Sequence, residues 1–162
     1  ELGGAWRTPS GSWGVTAAGR SYSANTVSIT LNALAPSPDY YVEGVLDVVT
    51  TASSGPGIAG RISEDGLTYY TWRWLSNKWQ LYSFNGGTAT LLAEYADTFT
   101  SGSRTARLVM QGDQISGWVD GVQRVLVTDA TNMASGAVGM RDSTGLTPTT
   151  GRQFTSLTAA TL

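Results

Sequence analysis

The chain has 162 residues, with ten basic and twelve acidic side chains for a net charge of −2, and it contains neither histidine nor cysteine. The missing cysteine excludes disulfides and thiolate chemistry, and the missing histidine removes the commonest general base and transition-metal ligand. The basic residues are scattered, without the block that neutralises phosphates, which argues against nucleic acid and against an anionic membrane surface as partners.

A chain of this length forms one domain, 1–162, that removes roughly 70% of its unfolded surface from water. It begins ELGGAW, without a methionine, a charged n-region or an apolar h-region, and so reads as a piece of something longer. No apolar run approaches the ~18 residues of a membrane-spanning helix. Twenty glycines, with abundant Thr, Ser and Val, favour short strands punctuated by turns.

In chain order, strands are predicted at 26–31, 40–50, 57–63, 68–75, 78–84, 89–95, 105–111, 114–119, 123–129, 137–141 and 152–158. Between them stand EDG at 64–66, SN at 76–77, NGG at 85–87, QGD at 111–113 and DG at 120–121, residues that tolerate positive φ. Pro36, Pro38, Pro56 and Pro148 fall between strands, where a missing N–H breaks no ladder. LLAEYADTF at 91–99 is the best helical candidate, and reads equally as a strand end followed by a loop. A series of strands without helices predicts a two-sheet sandwich or a closed barrel.

Side chains alternate between the two faces of a strand, so parity assigns direction. Ile115, Gly117 and Val119 look inward, leaving Ser116, Trp118 and Asp120 on the other face. Ile58, Gly60 and Ile62 form an inner set against Ala59, Arg61 and Ser63, and Leu108 with Met110 look inward as well. The stretch TYYTWRWLSNKWQLYSF at 68–84 holds seven aromatic residues, three of them tryptophan. Parity sends Tyr70, Trp72, Trp74, Trp79 and Leu81 to the core, where each ring buries ~150–250 Å². It leaves Tyr69, Arg73, Gln80, Tyr82 and Phe84 outside.

The order GxxGRISEDGLTYYTW, KWQLYSFNGG, LxxQGDQISGWVDG and TDATNMASGAVGM resembles concanavalin A-like jelly-roll domains, the lectin, glucanase and laminin-G-like superfamily. ELGGAW and SGSW look like its opening strand. The resemblance implies an all-β jelly-roll sandwich of two antiparallel sheets, about six strands each, with one face curved and open. Such domains serve as carbohydrate-binding modules of secreted enzymes and as parts of bacteriophage tail and other virion proteins. The implied setting is extracellular or at a virion surface.

Three functions fit. In sugar recognition, aromatic faces stack on the C–H side of a pyranose while polar groups bond its hydroxyls. The candidates are Arg61, Tyr69, Arg73, Tyr82, Trp118 and Asp120, neighbours only if their strands share a sheet; the ligand would be a polysaccharide or other glycan. A structural role would instead bury the outer aromatics against other virion subunits; Trp6, Trp13 and Tyr22 could serve such a contact, but packing into the same sandwich is the role expected of them. Hydrolysis is disfavoured, because the superfamily's E-x-D-x-x-E is absent. Glu43 and Asp47, four residues apart, stand about 13 Å apart along a strand, beyond the ~5–9.5 Å of glycosidase carboxylates. No cofactor is expected. The resemblance leaves room for calcium, for which Asp129 with Asn132, and Asp39, are the residues of suitable type, loop or turn capping being their other role.

Overall fold

The computed structural model describes residues 6–24, 28–34, 37–51, 55–143 and 145–162, and for 8, 10 and 28–34 the backbone alone. The segment ELGGA and Pro36 thus lie outside the described residues. Among the described residues there are fourteen strands: β1 Arg7–Ser10, β2 Trp13–Val15, β3 Ser21–Ser23, β4 Ser28–Leu34, β5 Tyr40–Val48, β6 Gly57–Ile62 and β7 Tyr69–Leu75, then β8 Lys78–Asn85, β9 Thr88–Ala96, β10 Ser103–Gln111, β11 Gln114–Val119, β12 Val122–Thr128, β13 Ala137–Asp142 and β14 Arg152–Thr161. They form two antiparallel sheets of seven, one more per sheet than expected: β1-β4-β13-β6-β7-β8-β9 and β12-β11-β10-β5-β14-β3-β2. No helix occurs among the described residues, and LLAEYADTF is the end of β9 and the loop after it. None of the described segments is a helix long and apolar enough to cross a membrane.

Turn chemistry sets the hairpins. Ser76 and Asn77 between β7 and β8, and Asp120 and Gly121 between β11 and β12, have positive φ at both positions, the geometry whose twist matches the flanking strands. Asp65 caps its turn, accepting hydrogen bonds from the Ser63 hydroxyl at 2.6 Å and the Leu67 N–H at 2.9 Å.

The core between the sheets joins Ile58, Tyr70, Trp72, Trp74, Trp79, Leu81 and Met140 of the first sheet to Tyr40, Val42, Leu46, Leu108, Met110, Ile115, Val119 and Phe154 of the second. The tryptophans of β7 and β8 are buried, as parity requires. Trp72 and Trp79 stack at 5.7 Å, and the Trp72 Nε1–H donates to the Trp118 carbonyl at 3.1 Å. Trp13 packs on Phe154, and Trp6 lies partly buried against the same core.

Alternation breaks once in β6. Arg61 has a φ of 49°, and Ala137 and Gly139 of β13 pair with Ile62 and Ala59, so three steps on β6 face two on β13. This bulge reverses the facing of the residues beyond it. Ile62, expected inside with Ile58, instead joins Ala59, Tyr69, Phe84 and Ala137 in a second cluster on the sheet's outer face.

Candidate functional site

The outer face of the first sheet is built in rungs. Arg141 of β13 pairs with Gly57 of β6, Gly57 with Arg73 of β7, and Arg73 with Gln80 of β8. The next rung runs Gly139, Ala59, Thr71, Tyr82. Beyond it, Tyr69 pairs with Phe84. The floor on β13 and β6 is thus Gly and Ala, which leaves room for the long side chains around it to lie over the sheet. A methyl group at Gly57 would stand 2.5 Å from the Arg73 Cβ.

Those side chains form an interleaved layer. Tyr69 and Phe84 stack with ring centroids 4.5 Å apart and planes 9° from parallel. The Arg141 guanidinium lies 4.9 Å from the centre of Phe84, and its Nε–H donates to the Tyr69 hydroxyl at 3.0 Å. The Arg73 guanidinium lies 4.4 Å from the centre of Tyr82. Such stacking stabilises a cation without neutralising it. Burial, and then the Arg141 charge, draw the Arg73 pKa below its ordinary value, and burial raises that of the Tyr69 hydroxyl.

Three polar atoms here are buried without a hydrogen-bond partner among the described residues: Arg73 Nε, Arg141 Nη1 and Gln80 Oε1. Neither arginine takes part in an ion pair among the described residues, and the carboxylates that could serve them are held elsewhere. Ion pairs tie Glu64 to Arg7, Asp47 to Arg20, Asp39 to Arg61, Glu94 to Lys78, Glu43 to Arg107, and Asp97 and Asp120 to Arg104. Asp65, Asp113, Asp129 and Asp142 accept hydrogen bonds from Leu67, Gln114, Tyr70 and the Gly55 N–H. Of the twelve acidic residues, only Glu1 lies outside the described residues.

The residues singled out from sequence separate into four places. Tyr69, Arg73 and Tyr82 come together in this layer. Trp118 does not join them, because β11 belongs to the other sheet. It faces outward as expected, pairing across the ladder with Arg107 and donating from Nε1 to the Ser116 hydroxyl at 2.9 Å. Asp120 occupies the β11–β12 turn, where it caps the Thr105 N–H at 2.9 Å and meets Arg104. Arg61 is turned by its bulge into the protein, 1% exposed, donating to the carbonyls of Pro38 at 3.0 Å and Asn132 at 2.9 Å. These bonds hold the loop before β13, and the remaining Nη2, without a hydrogen bond of its own, lies 3.5 Å from the Asp39 carboxylate, so the Arg61 charge is met within the protein.

The calcium candidates each make contacts within the protein. Asp129 accepts from the Tyr70 hydroxyl at 2.6 Å and the Thr131 N–H at 2.9 Å. Burial alone would raise its pKa, but these bonds hold it below the usual carboxylate range. Asn132 turns its Nδ2 donor onto the Arg61 carbonyl at 2.7 Å. Asp39 bonds the Gly112 N–H and approaches Arg61. No group of three histidine, cysteine, aspartate or glutamate side chains placed to share a metal ion exists among the described residues.

Arg141 is the member that sequence reading passed over. The signal was present: Met140 faces the core, so the next residue must face out.

Among solved structures, the chain superposes on carbohydrate binding module CBM66 from Bacillus subtilis with a TM-score of 0.79, at 17% identity, over 96% of this chain and 94% of that one. A β-glucanase of Bacillus licheniformis gives 0.68 at 12%, over 97% and 92%. The exoplasmic/lumenal domain of VIP36, in its Ca2+/Man-bound form, gives 0.70 at 10%, over 98% and 83%. The fold is the concanavalin A-like jelly roll. A binding module and a glucanase share it, so the jelly roll alone does not choose between binding and catalysis. No protein-family model and no curated protein matches the sequence.

The second outer face of this jelly roll makes an instructive contrast. There Arg107 lies over Tyr41 at 4.5 Å, as Arg73 lies over Tyr82, but Glu43 completes the arrangement at 2.7 Å. A further cavity of about 250 Å³, lined by Trp6, Met140, Phe154 and Leu157 among others, has no charged side chain among its described lining residues.

Proposed function

We propose that the domain binds carbohydrate without transforming it, through the outer face of the first sheet around Tyr69, Arg73, Tyr82 and Arg141. The observation that carries this reading is the set of unpartnered polar atoms on Arg73, Arg141 and Gln80 among aromatic rings. Saccharides present both what rings stack on and what such atoms bond: C–H faces and hydroxyls. Fixed side chains on central strands suit a ligand that is itself an extended polymer. A carbohydrate-binding module among the similar structures supports the reading.

Absence of catalysis is part of the proposal. Glycoside hydrolysis uses two carboxylates flanking the bond, and on this face Glu94 stands at the β9 edge paired with Lys78 at 2.5 Å. An extracellular or virion-surface setting goes with a glycan-directed module, and its support is the texture of the sequence.

A glycan array with the wild type, Tyr82→Ala and Trp118→Ala tests the reading. The wild type is expected to bind, Tyr82→Ala to weaken binding about tenfold or more, and Trp118→Ala to leave it unchanged. Failure of the wild type to retain any glycan would sink the proposal, and recovery of fixed protein partners in a pull-down would then favour the structural role.

A further inference from the structure

We propose that the ligand of this face is an acidic glycan, whose carboxylate or sulfate is received between Arg73 and Arg141. This rests on the carbohydrate-binding reading above and specifies its chemistry.

Two guanidiniums stand on strands that flank β6, opposite one another across Gly57. Each lies on one of two neighbouring rings, Arg73 on Tyr82 and Arg141 on Phe84, whose centroids are 6.2 Å apart, and the Arg141 charge is felt at Arg73. Both arginines are more than nine-tenths buried, at 9% and 6% exposure, and each has a sealed nitrogen without an acceptor. Unpaired charge in such a place is costly unless something completes it. A neutral sugar hydroxyl supplies an acceptor but leaves the two cations repelling one another. A carboxylate or sulfate supplies acceptors for both and cancels the repulsion, in charge-assisted bonds about twice as strong as neutral ones.

The protein shows the completed form elsewhere. Arg107 over Tyr41 has the same cation-on-ring geometry and includes Glu43 as its anion. Arg7, Arg20, Arg61 and Arg104 likewise meet carboxylates. Arg152 on Trp74 and Arg124 on Tyr95 are single cations on rings, and Arg152 donates to the Phe99 carbonyl, whereas at Arg73 and Arg141 the described residues supply two cations on neighbouring rings and no acid, against an overall charge of −2. The Tyr69 hydroxyl, which accepts from Arg141 Nε, retains its own proton to donate, and Gln80 Oε1 can accept from a sugar hydroxyl.

The test is calorimetry with polygalacturonate, hyaluronan and heparin, each against its carboxyl-reduced or desulfated form. Binding of an acidic polymer is expected, weakening as salt rises, with a loss of about tenfold or more when the acid is removed. Arg73→Gln and Arg141→Gln should each cost about tenfold to a hundredfold. Lysine at either position should retain part of the affinity, since it keeps the charge and loses the fork. Unchanged thermal unfolding of the variants keeps the comparison clean, and the polymer and salt arms need no variant. Equal affinity for the neutralised polymers would overturn the acidic ligand while leaving carbohydrate binding in place. Acidic-polymer binding that survives both glutamine variants would also overturn it. Retention of none of the acidic polymers by a wild type that holds a neutral glycan on the array would overturn the acidic ligand and leave carbohydrate binding standing.

Discussion

The Tyr40 hydroxyl, on the second sheet, accepts the backbone N–H of Arg61 on the first, across the interior of the sandwich. It donates in turn towards the carbonyls of Gly136 and Ala137, at 3.4 and 3.3 Å. One buried hydroxyl thus satisfies the backbone of the β6 bulge and of the entry to β13. Tyr40→Phe removes it while keeping the ring, leaving a buried N–H without a partner. The expected cost is about 1–3 kcal/mol, read as a lower urea midpoint with an unchanged slope.

Alkaline pH should act through the same group. Burial pushes the Tyr40 pKa up to about 12, and burial together with Asp129 takes Tyr70 to about 12 as well. In the unfolded chain both ionise near 10. Between these values the unfolded state releases protons that the folded state keeps, so stability falls as pH rises from about 10 to about 12 and is unaffected by these groups below that window. The slope is up to about 1.4 kcal/mol per pH unit for each tyrosine. Urea titrations from pH 8 to 12 should show this decline, and Tyr40→Phe should flatten it.

Gly117 faces the core opposite Trp72, and a methyl group there would stand 2.6 Å from the indole. Trp72 cannot retreat, being stacked on Trp79 and bonded to the Trp118 carbonyl. Gly117→Ala should therefore destabilise by about 1–3 kcal/mol through overpacking. A melting temperature equal to the wild type's would show that the sheets can separate locally at no cost.

At the loop before β13, Asp129 holds the Tyr70 hydroxyl and the Thr131 N–H. Asp129→Ala should cost about 1–3 kcal/mol. Because these bonds already engage its carboxylate, millimolar calcium or a chelator should leave the melting temperature of the wild type unchanged. A rise with calcium would show that the loop rearranges to take the ion.

Much of the architecture was legible from residues alone. Eleven of the strands answer to predicted segments, and parity sorted TYYTWRWLSNKWQLYSF into core tryptophans and outer Tyr69, Arg73, Gln80, Tyr82 and Phe84. The short β1, β2 and β3 carry too few alternating residues to announce themselves. The misplacement of Ile62 has a local cause, since a left-handed arginine is not foreseeable from residue type: arginine rarely adopts positive φ, and this one does so because Tyr40, Pro38 and Asn132 hold it. Trp118 illustrates a different limit. Parity says which way a side chain points relative to its own strand, and long-range pairing decides which sheet that strand belongs to.

The rung Arg141, Gly57, Arg73 lies on three adjacent inner strands, with each guanidinium already laid on a ring. The rings hold each guanidinium close to its place in the complex, so a small shift bares the sealed nitrogens and little side-chain entropy remains to be lost on association. Such a receptor is preorganised by the sheet itself, as a fixed fitting in the scaffold. Exchange of the loops at the rim would alter what lies beside a captured ligand and leave the capture intact.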